Sequence, residues 1–193
     1  SERIGYRVQV QDLDGIFSGP ELAIKGDLQL EGTEEGLSLG AARLHSNGGT
    51  LLLSGDLAWG QVLSWDAEAR VDSVDPSAFG ELPAGEINAQ ISSSGSKAGD
   101  KLDFVAEVTT LSGQLAGYDV GGGGKVEYGD SVWLVDNFHL TDGRNELRLH
   151  GSVKEELDLD FSFTGEQLGA LLPALKGGVS AHGRVGGTVD MPR

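Results

Sequence analysis

Four glycines followed by a lysine, in "DVGGGGKVEYG" (119–129), are the residues of this chain best suited by type to cradle a phosphate. A phosphate loop needs a glycine five residues before its final Gly-Lys, and a Ser or Thr after the lysine to hold Mg²⁺. Here those positions are Asp119 and Val126. The dinucleotide pattern G-x-G-x-x-G fails as well, because its third glycine falls on Val126 or Glu127. No helical pattern follows to offer amide donors to an anion. The four histidines, His45, His139, His150 and His182, have no metal-ligand spacing among themselves or with carboxylates. "DLDG" (12–15) has the opening of a calcium loop but lacks its later ligands. No G-x-S-x-G elbow is present. The chain is therefore expected to have no catalytic centre, no metal and no cofactor.

Composition narrows the class further. The 193 residues carry a net charge of −16, which opposes nucleic acid and anionic membrane surfaces. There is no cysteine, so disulfides and thiolate sites are excluded. Hydrophobic residues make up 38% and glycines number 31, a poor supply for a large dry core. The longest apolar run, "LGALLPAL", is far short of the roughly 18 residues of a membrane span. The first residue is Ser1, which suggests a processed chain or a segment of a longer one.

The elements that would position any site recur. "LHSNGGTLLLSGDL" (44–57) aligns with "LTDGRNELRLHGSV" (140–153), placing Leu51, Leu53 and Gly55 on Leu147, Leu149 and Gly151. "YRVQVQDLDGIFSGPELAIKGDLQL" (6–30) aligns with "FVAEVTTLSGQLAGYDVGGGGKVEY" (104–128), placing Gly26 on Gly124. "GEINAQI" (85–91) aligns weakly with "GGVSAHG" (177–183). The spacing of about 95 residues predicts two units, 1–98 and 99–193, stacked into one continuous sheet.

Within each unit the hydrophobic period is two, the mark of strands with one apolar and one wet face. "WDAEARV" puts Trp65, Ala67, Ala69 and Val71 on the apolar side. "LDLDFSF" does the same with Leu157, Leu159, Phe161 and Phe163. Ile87, Ala89 and Ile91 follow suit, as do Phe104, Ala106 and Val108. The triplet Leu51-Leu52-Leu53 is ambiguous alone, but Arg148 between Leu147 and Leu149 turns Leu52 outward and Leu51 and Leu53 inward. Leu28, Leu30, Leu57 and Val126 complete the apolar set. Turn signals such as "SNGG" and "TDGRN" join the strands into an antiparallel meander. On that parity Gly26, Gly55, Gly122, Gly124 and Gly151 face inward, marking a bend or a close approach to the backbone. Each unit also holds one short helical pattern. "DPSAFGEL" (75–82) has Asp75 as N-cap and Pro76 at the first position, and "TGEQLGALLPAL" (164–175) has Thr164 and Gln167 as a capping box.

The order of L-x-L-x-G strand pairs, a short Asp-capped helix and "G-x-I/V-x-A" resembles the TamB family, the translocation and assembly module subunits of Gram-negative envelopes, and the wider AsmA-like group. The residues carrying it are "LLLSGDL" (51–57), "VDPSAFGELPAGEINAQISSSG" (74–95), "LRLHGSV" (147–153) and "GEQLGALLPALKGGVSAHGRVGGTVDMP" (165–192). The resemblance implies an all-β, elongated antiparallel repeat sheet folded into an open hydrophobic trough, a β-taco. It implies a mid-chain periplasmic segment of a parent anchored in the inner membrane. It also implies phospholipid as cargo, neighbouring repeats as intramolecular partners, and a TamA-like outer-membrane protein met through a part not present here. The 22 apolar residues named above would line a lipid groove. The same alternation would equally build a closed β-sandwich, in which two apolar faces bury each other. The function expected is carriage of acyl chains between the two membranes without catalysis. The alternative is a chaperone that holds nascent outer-membrane strands by strand addition.

Overall fold

The structure, a computed structural model, describes residues 5–17, 22–46, 48–166, 177–188 and 191–192. Twelve strands follow one another: β1 (Gly5–Phe17), β2 (Leu22–Thr33), β3 (Gly36–Ser46), β4 (Gly49–Ala58), β5 (Leu63–Val74), β6 (Gly85–Ala98), β7 (Lys101–Leu115), β8 (Tyr118–Gly129), β9 (Val132–Thr141), β10 (Asn145–Val153), β11 (Leu157–Gly165) and β12 (Val179–Val185). Each pairs antiparallel with the next, so chain order and sheet order are the same. A two-residue pair, β13 (Gly187–Thr188) and β14 (Met191–Pro192), follows. The sheet runs unbroken from one predicted unit to the other, with Ala98 of β6 opposite Lys101 of β7.

The sheet is open. β1 and β12 are its two edges and do not pair with each other. A compact monomer of 20.2 kDa exposes about 8,800 Å². This chain exposes 12894 Å², about half as much again. Among the described residues the buried apolar side chains are two alanines, Ala42 and Ala89. A sandwich would have buried the large residues first, so the closed alternative is ruled out. At about 4.8 Å between strands, twelve strands span about 50 Å.

Register gathers the residues into rows that run across the strands. Val8, Leu30, Leu39, Gly55, Ala67, Ser93, Ala106, Val126, Val135, Gly151, Leu159 and Val185 oppose one another in turn, one from each strand. The adjacent positions form a row of opposite character on the other face, where Arg7, Glu31, Ser38, Asp56, Asp66 and Ser94 succeed one another.

Bulges bend the sheet, and they recur. On β1, Gln11 and Asp12 lie where β2 supplies one residue, between the pairs Val10–Leu28 and Leu13–Gly26. On β7, Thr109 and Thr110 do the same between Val108–Gly124 and Leu111–Gly122. Gly40 and Ala41 on β3 are matched by Asp136 and Asn137 on β9, each pair standing against one residue of the next strand. Asn137 takes φ +49° to make the bend. A two-against-one bulge increases local twist and curves its strand.

The recurrence also corrects the alignment of the glycine run. By register Gly122 occupies the place of Gly26, opposite Leu111 as Gly26 is opposite Leu13, and Gly124 replaces Leu28. The two-residue slip arises because β7 and β8 are joined by two residues, 116–117, whereas β1 and β2 are separated by four, 18–21. The glycines are strand residues, and DLDG lies on β1 rather than in a loop.

One helical pattern forms a single 3₁₀ turn, Pro76–Phe79, rather than an α-helix. Asp75 caps it: its carboxylate accepts from Ser77 Oγ (2.8 Å), Ser77 N (3.0 Å) and Gly85 N (3.1 Å). Gly80 follows at φ +154° and four residues are too few for an α-helical turn to propagate. Of the second pattern, Thr164 and Gly165 belong to β11 and pair with Ser180 and Val179. The stretch 167–175 lies outside the described residues.

Candidate functional site

All 22 residues expected on the apolar face share one face by register. They fall into four main rows, with Ile87 one step beyond. At one margin stands a row holding Tyr6, Gly32, Leu37, Leu57, Trp65, Gly95, Phe104, Tyr128, Trp133, Val153 and Leu157. Next comes the row from Val8 to Val185 given above. The third holds Leu28, Ala42, Leu53, Ala69, Ile91, Val108, then Leu149 and Phe161. The fourth holds Leu44, Leu51, Val71, Ala89, Leu111, Gly122, Leu140, Leu147, Phe163 and Ala181. Same-face neighbours along a strand lie about 6.8 Å apart, so four rows make an apolar band about 20 Å wide.

The band is uncovered. Leu57 is 37% exposed, Ile91 38%, Leu140 41% and Val8 43%. A concavity of about 420 Å³ opens on it across β3 to β6, lined by Leu37, Leu39, Leu53, Leu57, Trp65 and Ile91 among others. Ser93, which shares the apolar face, accepts the indole N–H of Trp65 at 3.1 Å. A larger concavity of about 700 Å³ is lined mainly by the opposite face, with Asp27, Gln29, Arg43, Glu68, Arg70 and Gln90. Its walls carry charges of both signs beside Leu52 and Ala41, and Arg70 is held by Asp72 at 2.9 Å.

The inward glycines are explained by the sheet itself. Gly151 has φ +141°, and a Cβ there would lie 2.0 Å from the Asp158 carbonyl oxygen of the next strand. The neighbouring backbone is what approaches. Gly32 and Gly95 serve the aromatic row: a Cβ on Gly32 would meet the Tyr6 ring at 2.2 Å, and one on Gly95 the Trp65 ring at 2.4 Å. Each ring lies across a bare stretch of the adjacent strand, a packing that protects glycine backbone from water.

The family model described as TamB, N-terminal domain, matches residues 6–193. The chain belongs to the TamB family. It is a TamB-family envelope protein built, over the described residues, as an open antiparallel trough. No solved structure matches it.

Among the described residues of this TamB-family chain, nothing gathers the polar candidates into a site. His45 Nδ1 meets Thr50 Oγ1 at 2.9 Å, His139 Nδ1 donates to the Asn137 carbonyl at 3.1 Å, and His150 stands 3.4 Å from Asp136. Among the described residues no group of three His, Asp or Glu could hold a metal ion, and no helix is long and apolar enough to cross a membrane. The acidic stretch 154–160 spans a turn and the start of β11, and Asp158, close against Arg184 Nε at 2.5 Å, has its pKa lowered by that hydrogen bond.

The apolar face includes residues the alternation did not single out. Trp133, Val135, Phe138 and Leu140 all sit on it, although their spacing breaks between 135 and 138. The break is the bulge at Asn137, which shifts the parity by one. Leu37 and Leu39 were legible in "GLSLG" as an L-x-L pair, and they line the concavity.

Proposed function

We propose that this chain is one stretch of a periplasmic bridge whose apolar trough carries phospholipid acyl chains between the inner and outer membranes. The observation that carries the reading is the set of four largely apolar rows, open to solvent, of which the row from Val8 to Val185 crosses all twelve strands with Ser93 as its one polar member. Soluble monomers rarely keep apolar patches above a few hundred Å² uncovered. A band about 20 Å wide and about 50 Å long exceeds that. Acyl chains, about 15 Å long in half a bilayer core, fit within its width. Each CH₂ sheltered from water is worth about 0.8 kcal/mol, so a continuous apolar wall lowers the barrier to passage without any catalytic step.

The bulges at Val10–Leu13 and Val108–Leu111, and those at Leu39–Ala42 and Val135–Phe138, support a six-stranded unit repeated twice, divided near residue 98. Edges β1 and β12 then adjoin neighbouring repeats of the parent. The parent is anchored in the inner membrane and meets a TamA-like partner through a part outside this chain. A second reading rests on β12, whose residues 179–184 are all exposed: an edge of that kind can take a nascent strand by augmentation.

The test is binding of a naturally fluorescent polyene fatty acid to the chain. Phe161→Arg, which sets a cation in the third row, should weaken binding at least tenfold. Leu52→Arg, on the other face opposite Arg43 and Arg70, should leave it unchanged. Equal loss from both, or none from either, would overturn the groove.

A further inference from the structure

The two margins of the apolar band differ, and the difference bears on which way a lipid lies. All three tryptophans stand at one margin: Trp65 and Trp133 in the first row, and Trp59 in the β4–β5 turn, its indole donating to the Glu34 carbonyl at 2.9 Å. The densest point is a three-ring cluster from three successive strands. Phe104, Tyr128 and Trp133 have ring centroids 4.8 to 5.9 Å apart, with Phe104 and Trp133 edge to face at 82°. Trp133 is 43% exposed, so the cluster is a surface. The fourth row, toward the other margin, includes Leu44, Leu51, Leu140, Leu147 and Phe163, and the amphipathic ring on that side is Tyr118 beside a turn.

We propose that the Phe104–Tyr128–Trp133 cluster seats the ammonium head group of a zwitterionic phospholipid whose acyl chains lie along the strands toward Leu140 and Leu147. The inference rests on the groove reading and adds to it an orientation and a lipid class. A cation over aromatic faces is attracted by their quadrupoles, and aromatic cages are the usual receptors for quaternary ammonium. Trp and Tyr favour the level at which an apolar medium meets water. Charge complementarity selects the head group. The turns and strand ends at this margin carry Glu34, Glu35, Asp100, Asp130, Glu155 and Glu156 against Lys97, Lys101 and Lys154, and Lys101 is already 3.4 Å from Asp130 and 3.5 Å from Asp103. Such a lip repels an anionic head and attracts an amine. The reach agrees: along β9, Trp133 to Leu140 spans about 20 Å, enough for a chain of about 15 Å.

Depth-dependent quenching tests it. In Trp59→Phe/Trp65→Phe, Trp133 is the sole indole. Adding Trp133→Phe and Leu140→Trp moves the indole to the far side of the same strand. Phosphatidylcholine carrying a nitroxide at the head group should quench Trp133 at least twofold more than lipid labelled at the chain end, and the order should invert at position 140. Equal or inverted quenching at Trp133 would overturn the seat while leaving the groove intact. Absence of quenching at both positions would overturn the groove reading as well. In a second arm, Trp133→Leu should weaken phosphatidylethanolamine about two- to fivefold relative to phosphatidylglycerol. An equal loss for both head groups would reduce the cluster to packing and overturn the proposal.

Discussion

Trp65 lies across Gly95 of the neighbouring strand, so closely that a Cβ on Gly95 would stand 2.4 Å from the ring and 2.6 Å from Phe104 Cβ. The glycine is the floor on which the indole rests, and the ring is what covers the glycine. Gly95→Ala should destabilise the chain by about 1–3 kcal/mol through overpacking. The cost should shrink when Trp65→Leu is added, which a double-mutant cycle in urea would read as coupling. Full additivity would mean that the two residues do not meet.

Asp75 makes the turn between β5 and β6 sensitive to acid. Hydrogen bonds from the Ser77 hydroxyl, the Ser77 amide and the Gly85 amide hold its carboxyl below the ordinary range. A group whose folded pKa is depressed adds stability that is present above its unfolded pKa, near 3.9, and lost as pH falls through the folded value. Amide exchange at Ser77 and Gly85 should therefore accelerate beyond its intrinsic pH dependence only below about pH 4. Asp75→Ala should exchange quickly at neutral pH and show no such step.

Phe161→Arg should leave the fold in place. In a closed core an unpaired cation costs about 3–5 kcal/mol. In an open trough the guanidinium reaches water, so the unfolding free energy should change by less than about 1.5 kcal/mol with an unaltered far-ultraviolet spectrum. Cooperative unfolding of the variant would contradict an open sheet.

How far the sequence led can be judged at Leu52. Three consecutive leucines have no readable parity, yet Arg148 in the sister copy turned the middle one outward, where it pairs with Arg43 and Arg70. Strand order and the apolar face were legible wherever the period of two was unbroken. They failed at bulges, because an extra residue inverts parity: Trp133 and Leu140 cannot share a face by counting, and do so only because Asn137 is bent out of the ladder. The aromatic row was invisible for another reason. Its members are scattered over residues 6 to 133 and meet only through register. The open trough rather than a sandwich was a matter of what lies against the face, which alternation does not encode.

The free edges should make the isolated chain self-associate. β12 is exposed from Val179 to Arg184, and an unprotected edge is a template for another strand. Sedimentation should show concentration-dependent oligomers, and Ala181→Pro should suppress them by removing a ladder donor. A strictly monomeric chain at millimolar concentration would count against an array open at its ends.

The central claim is that one face of this sheet meets lipid and the other does not. A photo-crosslinking residue placed in the parent protein in cells tests it directly. At Leu53, Ala69 or Phe161, which share the third row, it should capture phospholipid. At Leu52, Glu68 or Asp160, one residue away on the same strands and on the opposite face, it should not. Equal capture from both faces, or capture of nascent outer-membrane protein at β12 with no lipid at any inward position, would contradict the conduit.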